Sequence, residues 1–241
     1  MSDRKVLALI AGWLNAGVLV GGSVLHPTAG TPQGGVISPL LANIYLNRLD
    51  QAWKEKHRLH GEMTRYADDL VILCGSEGRA EAANAALHSL LADLRLELSE
   101  AKTRIADLRQ PLEGFDFLGF HFRMVPTRKN PRRKFAARWP SRSAMAAARD
   151  RIRELTPIWR IGLSLAVVVK EVNAFLRSWG AYFRRGNSTK QFQSLDQFVF
   201  ERLARFIARK VKGASRGRGM AVLIDSRSTL RIHRLAGTVR Y

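Results

Sequence analysis

Residues 65–74 read RYADDLVILC. Asp68 and Asp69 stand side by side between two stretches suited to extended chain. Thr64 to Tyr66 can extend, and LVILC at 70–74 is apolar and β-branched enough for a buried strand. Ala67, Asp68 and Asp69 then form the tight turn of a hairpin, and the strands hold the two carboxylates in place. Paired carboxylates are hard oxygen ligands, suited to hold Mg²⁺ beside a growing 3′ end and an incoming triphosphate. An Asp-Asp hairpin tip on its own usually just faces water, because Asp favours turns for local hydrogen-bonding reasons. The neighbouring segments decide between the two readings.

Working outward toward the N-terminus, residues 30–50 read GTPQGGVISPLLANIYLNRLD. Thr31-Pro32 cannot continue a helix. Gly34 and Gly35 permit close backbone approach. Ser38-Pro39 starts a helix, with Ser as cap and Pro in the first turn. Leu40, Leu41, Ile44, Tyr45 and Leu49 give it an apolar face, and it extends to about residue 54. A Gly-rich loop carrying Gln33 thus opens onto a helix start, where backbone N–H groups can cradle a phosphate. It can equally be a plain connecting turn. Further back, residues 3–17 can form a helix with Val6, Leu9, Ile10 and Trp13 packed on one face, and a short strand is expected at 18–20 or at 23–25.

Toward the C-terminus, a helix over 79–94 carries the stripe Ala83, Leu87, Leu90, Leu91 and Leu94, which covers one face of the sheet. SEAKT at 99–103 is a loop bearing Lys102, and 104–108 is expected as a strand. FDFLGFHF at 115–122 is aromatic and β-prone. Its central Gly119 marks either a hairpin turn or a backbone that touches another chain. Residues 123–139, RMVPTRKNPRRKFAARW, hold seven Lys or Arg and two Pro. They read as a linker or an extended basic strand placed for nucleic-acid contact. Three amphipathic helices follow. Met145, Ala148, Ile152 and Leu155 line the first, which stops at Pro157. Ser164 caps the second, lined by Val168, Val172, Phe175, Leu176, Trp179 and Phe183. Ser188 caps the third, lined by Phe192, Leu195, Val199, Leu203 and Phe206 and ending at Gly213. Their outward faces are arginine-rich. Arg177, Arg184, Arg185 and Lys190 are candidate RNA contacts, and Tyr182 is the aromatic residue placed to face RNA. Residues 214–241 form a basic tail without a helical stripe.

Charge is the strongest global signal. The chain of 241 residues has a formal net charge of +20. Residues 1–100 hold 9 Lys+Arg against 11 Asp+Glu, whereas residues 101–241 hold 31 against 9. Basic charge gathered in this way points to a polyanion, first of all nucleic acid. The arginine excess favours phosphate clamping and base stacking. One cysteine, Cys74, excludes an internal disulfide and a cysteine zinc cluster. No apolar run reaches the length of a membrane span, so a soluble, cytoplasmic protein is expected, with no membrane partner.

In this order, the segments resemble the reverse transcriptase/maturase proteins encoded by group II introns. GTPQGGVISPLLANIYL resembles the palm segment lining template and nucleotide, YADD the metal-binding turn, and SEAKT the following lysine loop. FLGF is similar to the primer-grip hairpin, and SWGAYFR at 178–184 to the thumb. The resemblance implies an α+β chain: a truncated reverse-transcriptase palm, with an antiparallel sheet and helices on one face, followed by a basic α-helical thumb bundle. The expected divisions are 1–125 partial palm, 126–140 basic linker, 141–213 thumb and 214–241 tail. The resemblance also implies that Asp68 and Asp69 hold Mg²⁺, with Lys102 beside the leaving pyrophosphate. Gln33, Gly34, Gly35, Tyr66 and Ala67 would sit around template and nucleotide, and Leu118 and Gly119 under the primer end. The implied partners are intron RNA, a DNA primer or target, and dNTP, in a ribonucleoprotein particle. The family's earlier catalytic aspartate has no counterpart here, since Asp3 is the only acidic residue before Gly30. A separate polypeptide is one expected source of the missing part, and impaired polymerase activity is expected for the chain alone. The alternative is a non-catalytic maturase that binds intron RNA for splicing.

Overall fold

The structure is a computed structural model that describes residues 3–15, 18–20, 23–25, 37–210, 217, 219, 221 and 231–240. It divides into two compact units, 1–105 and 106–241.

The first unit begins with α1 (Arg4–Asn15) and a small antiparallel hairpin of β1 (Val18–Val20) and β2 (Ser23–Leu25). Helix α2 (Ser38–Ala52) runs on into a π-helical turn at Trp53–His57. Proline at its start fits, since its missing N–H is one the first turn cannot use. The cap position is Ile37, so Ser38 lies inside the helix and is not its cap. Strands β3 (Glu62–Tyr66) and β4 (Asp69–Leu73) form the central hairpin, and α3 (Glu77–Asp93) covers it. Ser76 caps α3 by accepting from the Arg79 N–H.

The core of this unit is Leu49, Trp53, Ala83, Leu87, Leu91 and Leu94, with Leu46, Met63, Leu70 and Ile72 packed against it. Each fully buried large apolar side chain contributes roughly 1.5–3 kcal/mol. The α3 stripe is therefore as expected. Three other expectations change. Strand β4 is only half-buried, because its sheet has two strands among the described residues and Leu73 faces outward. Helix α2 buries Leu49, its π-helical extension buries Trp53, and Leu40, Ile44 and Tyr45 of α2 are left exposed. Val6, Leu9 and Trp13 of α1 are exposed too and not packed as core.

The second unit opens with irregular chain. Residues 104–108 form no strand: Asp107 instead turns the chain locally, accepting from the Arg109 N–H at 3.0 Å. Then β5 (Gly114–Phe117), β6 (Phe120–Pro126) and β7 (Lys134–Pro140) make an antiparallel sheet in the order β5-β6-β7. The stretch expected as a linker at 126–140 thus contains a paired strand, and it lies in the same compact unit as the helices. Its alternation of Phe135, Ala137 and Trp139 suits a pleated surface with one covered face.

Helices α4 (Arg142–Leu155), α5 (Leu165–Phe183) and α6 (Thr189–Lys210) form the bundle, with a 3₁₀ turn at Ile158–Gly162 between the first two. Ser141 and Ser164 cap α4 and α5 through their hydroxyls. The core joins Phe120 to Met145, Ala148, Ile152, Leu155, Val168, Val172, Leu176, Phe183, Phe192, Leu195, Val199, Leu203 and Phe206. Every residue named for the first and third helix stripes is buried, and in the second Phe175 and Trp179 are partly so. Leu235 of the tail enters the same core at 0% exposure.

Candidate functional site

Ala67 and Asp68 form a two-residue turn between the paired residues Tyr66 and Asp69. Ala67 adopts φ 53°, a left-handed conformation that L-residues with a Cβ avoid. Arg65 holds the turn in that state. Its Nη1 donates to the Ala67 carbonyl at 2.7 Å and to Asn43 Oδ1 at 3.0 Å. Its Nε and Nη2 grip the Asp50 carboxylate of α2 at 2.8 and 2.5 Å. The Arg65 side chain is 9% exposed, and its hydrogen bond to Asp50 raises its pKa further above the ordinary value. A fork-to-fork pair of this kind fixes geometry as well as charge. Sequence reading gave Arg65 no role, although it sits directly before the quoted turn.

Asp68, Asp69 and Tyr66 are all exposed. The carboxylates therefore face solvent, as a plain hairpin tip would, and also as a site awaiting a large substrate would. Two carboxylates suit one Mg²⁺, which is commonly bound by one or two carboxylates together with substrate phosphates. A bridged pair of ions asks for more. Among the described residues no third His, Cys, Asp or Glu gathers with them. All acidic residues of 1–105 are among those described. The turn is thus a fitting but partial ligand set.

Lys102 is exposed on a separate turn after α3, where its N–H donates to Ser99 O at 3.0 Å. It makes no bond to Asp68 or Asp69 among the described residues. Gln33, Gly34 and Gly35 lie outside the described residues.

In the second unit, Leu118 and Gly119 form the turn between β5 and β6, with φ 50° and 75°. Positive φ at both positions is the pattern of a type I′ hairpin turn, which explains the glycine. The hairpin reading of Gly119 is therefore the one the fold adopts, inside an aromatic cluster. The Phe120 ring lies 4.8 Å from Phe183 and 5.4 Å from Tyr182. Tyr182 is half-exposed, and its hydroxyl donates to Leu118 O at 2.9 Å. The Ser141 N–H donates to Gly119 O at 2.8 Å. Helix α5 and the start of α4 thus pin the turn, a role for Tyr182 that sequence reading missed.

The basic candidates divide. Arg177, Arg185 and Lys190 are exposed and make no ion pair among the described residues. Arg184 is half-buried, with Nε out of solvent and unpartnered among the described residues, and its carbonyl accepts from Arg240 N–H at 2.7 Å. Arg202 is structural. It donates to Thr156 O at 2.9 Å, and burial together with Arg209, Arg153 and Arg205 lowers its pKa. Asn173 and Asp196 were not foreseen. Asn173 accepts from His233 N–H at 2.7 Å and donates to Arg231 O at 3.0 Å. Asp196 accepts from the N–H groups of Leu235 and Ala236 at 2.9 and 2.8 Å. These bonds dock the tail, and polar positions inside apolar helical stripes were the available signal.

The family model for reverse transcriptase (RNA-dependent DNA polymerase) matches residues 4–122, and that for the group II intron, maturase-specific domain matches 145–221. Protein YkfC of Escherichia coli K12 is 31% identical over 151 residues, 49% of this chain and 39% of that protein. An uncharacterized 91 kDa protein in the cob intron of Schizosaccharomyces pombe is 35% identical over 103 residues, 43% of this chain and 12% of that protein. The group II intron-encoded protein LtrA of Lactococcus lactis is 37% identical over 93 residues, 32% of this chain and 16% of that protein. The chain thus spans well under half the length of these relatives.

Proposed function

This chain belongs to the group II intron-encoded reverse transcriptase/maturase family, and from that membership we propose that it binds intron RNA through its basic helical unit and presents Asp68 and Asp69 as polymerase carboxylates. The observation that carries the reading is the maturase-specific match at 145–221. Its described part falls on helices with a closed core, where Arg177, Arg185 and Lys190 are exposed and make no ion pair among the described residues. Arginine-rich surfaces hold structured RNA through phosphates and 2′-hydroxyls, and that binding weakens as salt rises.

In polymerisation, a primer 3′-hydroxyl attacks the α-phosphorus of a dNTP and pyrophosphate leaves. Bound Mg²⁺ would supply charge neutralisation on the phosphates, held by Asp68 and Asp69. Arg65 keeps the turn in its strained state, which positions both carboxylates. Lys102 takes the side of the leaving pyrophosphate, and Gln33, Gly34, Gly35, Tyr66 and Ala67 surround template and nucleotide. Leu118 and Gly119 meet the primer end. A bridged pair of ions would ask for a further carboxylate beside Asp68 and Asp69. This reading places the chain in a cytoplasmic ribonucleoprotein particle, because its proposed ligand is intron RNA. No described helix is long and apolar enough to cross a membrane.

The second reading, a non-catalytic maturase, is favoured by the partial ligand set at the turn. Mg²⁺-dependent primer extension on an RNA template separates the two, run with the chain and with Asp68→Asn. Incorporation that the substitution abolishes supports the polymerase role. No incorporation by either, with salt-sensitive RNA binding kept by both, leaves the maturase role alone. Failure to bind RNA overturns both.

A further inference from the structure

The sheet β5-β6-β7 has two unlike faces. Phe120 and Phe122 point into the helical core. The other face carries Asp116, His121, Arg123, Phe135 and Trp139, none of which belongs to that core. Residues 123–144 also fall between the two family matches.

The outer face is organised. His121 pairs across the sheet with Trp139, and their ring centroids are 5.2 Å apart. The Arg123 guanidinium lies over the Trp139 ring, 5.2 Å from its centroid. Asp116 Oδ1 is 2.6 Å from His121 Nδ1 and fixes that ring. Beneath it, a Cβ on Gly114 would come within 2.7 Å of His121 Nε2, so glycine makes the seat. Trp139 is therefore held in one orientation before any partner arrives. Phe135 is 40% exposed and points to the same face four residues along β7, about 13 Å away at strand rise. Ala137 between them is 1% exposed. The loop joining β6 to β7 adds Arg128, Lys129, Arg132 and Arg133, all exposed and without ion pairs among the described residues. That loop is itself ordered by Thr127, which donates to Asn130 O at 2.8 Å.

We propose that this face is a stacking platform for unpaired RNA nucleotides, with Trp139 and Phe135 taking base faces and the 127–133 loop taking phosphates. A pre-oriented Trp139, an exposed Phe135 and cations without ion pairs among the described residues match the chemistry of a single strand, whose bases expose both faces and whose backbone is a polyanion. A duplex hides its base faces and would use only the loop. The proposal rests on the RNA-binding reading above and adds the site and the single-stranded class of ligand.

The test uses the full chain and a short unpaired oligouridylate. Binding is measured by fluorescence anisotropy for the unaltered chain, Phe135→Ala, Trp139→Ala and Trp139→Phe, alongside a structured RNA. Ultraviolet crosslinks to the oligouridylate are mapped by peptide. Each alanine change is expected to weaken oligouridylate binding on the order of tenfold. Trp139→Phe keeps most of the affinity, and crosslinks fall within 123–139. If Trp139→Ala fails to fold, Phe135→Ala and the crosslink map decide. Unchanged affinity in Phe135→Ala with crosslinks elsewhere, while structured RNA still binds, overturns the platform alone. Absence of any RNA binding overturns the platform together with the function it rests on.

Discussion

Truncating Leu235 to alanine tests how the C-terminal segment is held. Leu235 is fully buried among the bundle helices. Deleting a buried leucine side chain costs about 2–5 kcal/mol when the surroundings cannot yield. Here they can yield, because residues 231–240 are held by Leu235, by the partly buried Ile232 and Val239, by the Asp196 and Asn173 bonds, and by backbone bonds of Arg240 to Arg184 and Gly186. Ordering each residue costs about 1–2 kcal/mol of backbone entropy, so the segment keeps little surplus once Leu235 is gone. The expected result is release of the segment, with the loss capped at its docking free energy. Asp196→Ala alone removes two bonds to a charged acceptor and is expected to cost about 1–3 kcal/mol. In the Leu235→Ala background it should cost less than about 0.5 kcal/mol, because the bonds are already broken. Urea denaturation of the four proteins gives the cycle, and tryptic cleavage after Arg231 and Arg234 reports release. Additive costs with these sites still protected would refute the reasoning.

Two further outcomes follow from ion pairs. Arg65→Gln removes the fork on Asp50 and the bond to Ala67 O; it should lower stability by about 1–3 kcal/mol in denaturant melts and reduce any dNTP incorporation by more than Asn43→Ala does. Arg160 holds Glu171 through two 2.8 Å contacts and keeps its carboxyl below the ordinary glutamate range. A depressed folded value means stability present at neutral pH and lost as pH falls through that value. With Glu171 40% exposed, the effect is a few tenths of a kcal/mol. Thermal melts from pH 7 to 3 should show a slightly shallower fall in Glu171→Gln.

Helices were the most legible part of the sequence. Three-four apolar spacing placed the lining of α3, α4 and α6 correctly, because their cores are made within one compact unit. The same spacing misled on α1 and on Leu40, Ile44 and Tyr45, where apolar periodicity exists but no described element covers it. The YADD turn was read one residue too long, since Asp69 opens β4, and at Gly119 the hairpin was one of two open readings. What holds those turns was not legible. Arg65 to Asp50, and Tyr182 to Leu118, span 15 and 64 residues and depend on tertiary packing. The basic run at 123–139 left a linker and an extended strand both open, because Pro and charge dominate it. Its alternate Phe135, Ala137 and Trp139 are what make it a strand.

Salt dependence of RNA affinity tests the central claim most directly. The full chain is titrated with a structured intron RNA over a range of monovalent salt, beside a triple substitution of Arg177, Arg185 and Lys190 to Ala. Each phosphate contact contributes about 0.7–0.9 to the slope of log K against log salt, so removing three should flatten it by about two to three. That flattening, with the fold intact by circular dichroism, is the predicted result. An unchanged slope and affinity would contradict the placement of the RNA surface on the helical unit.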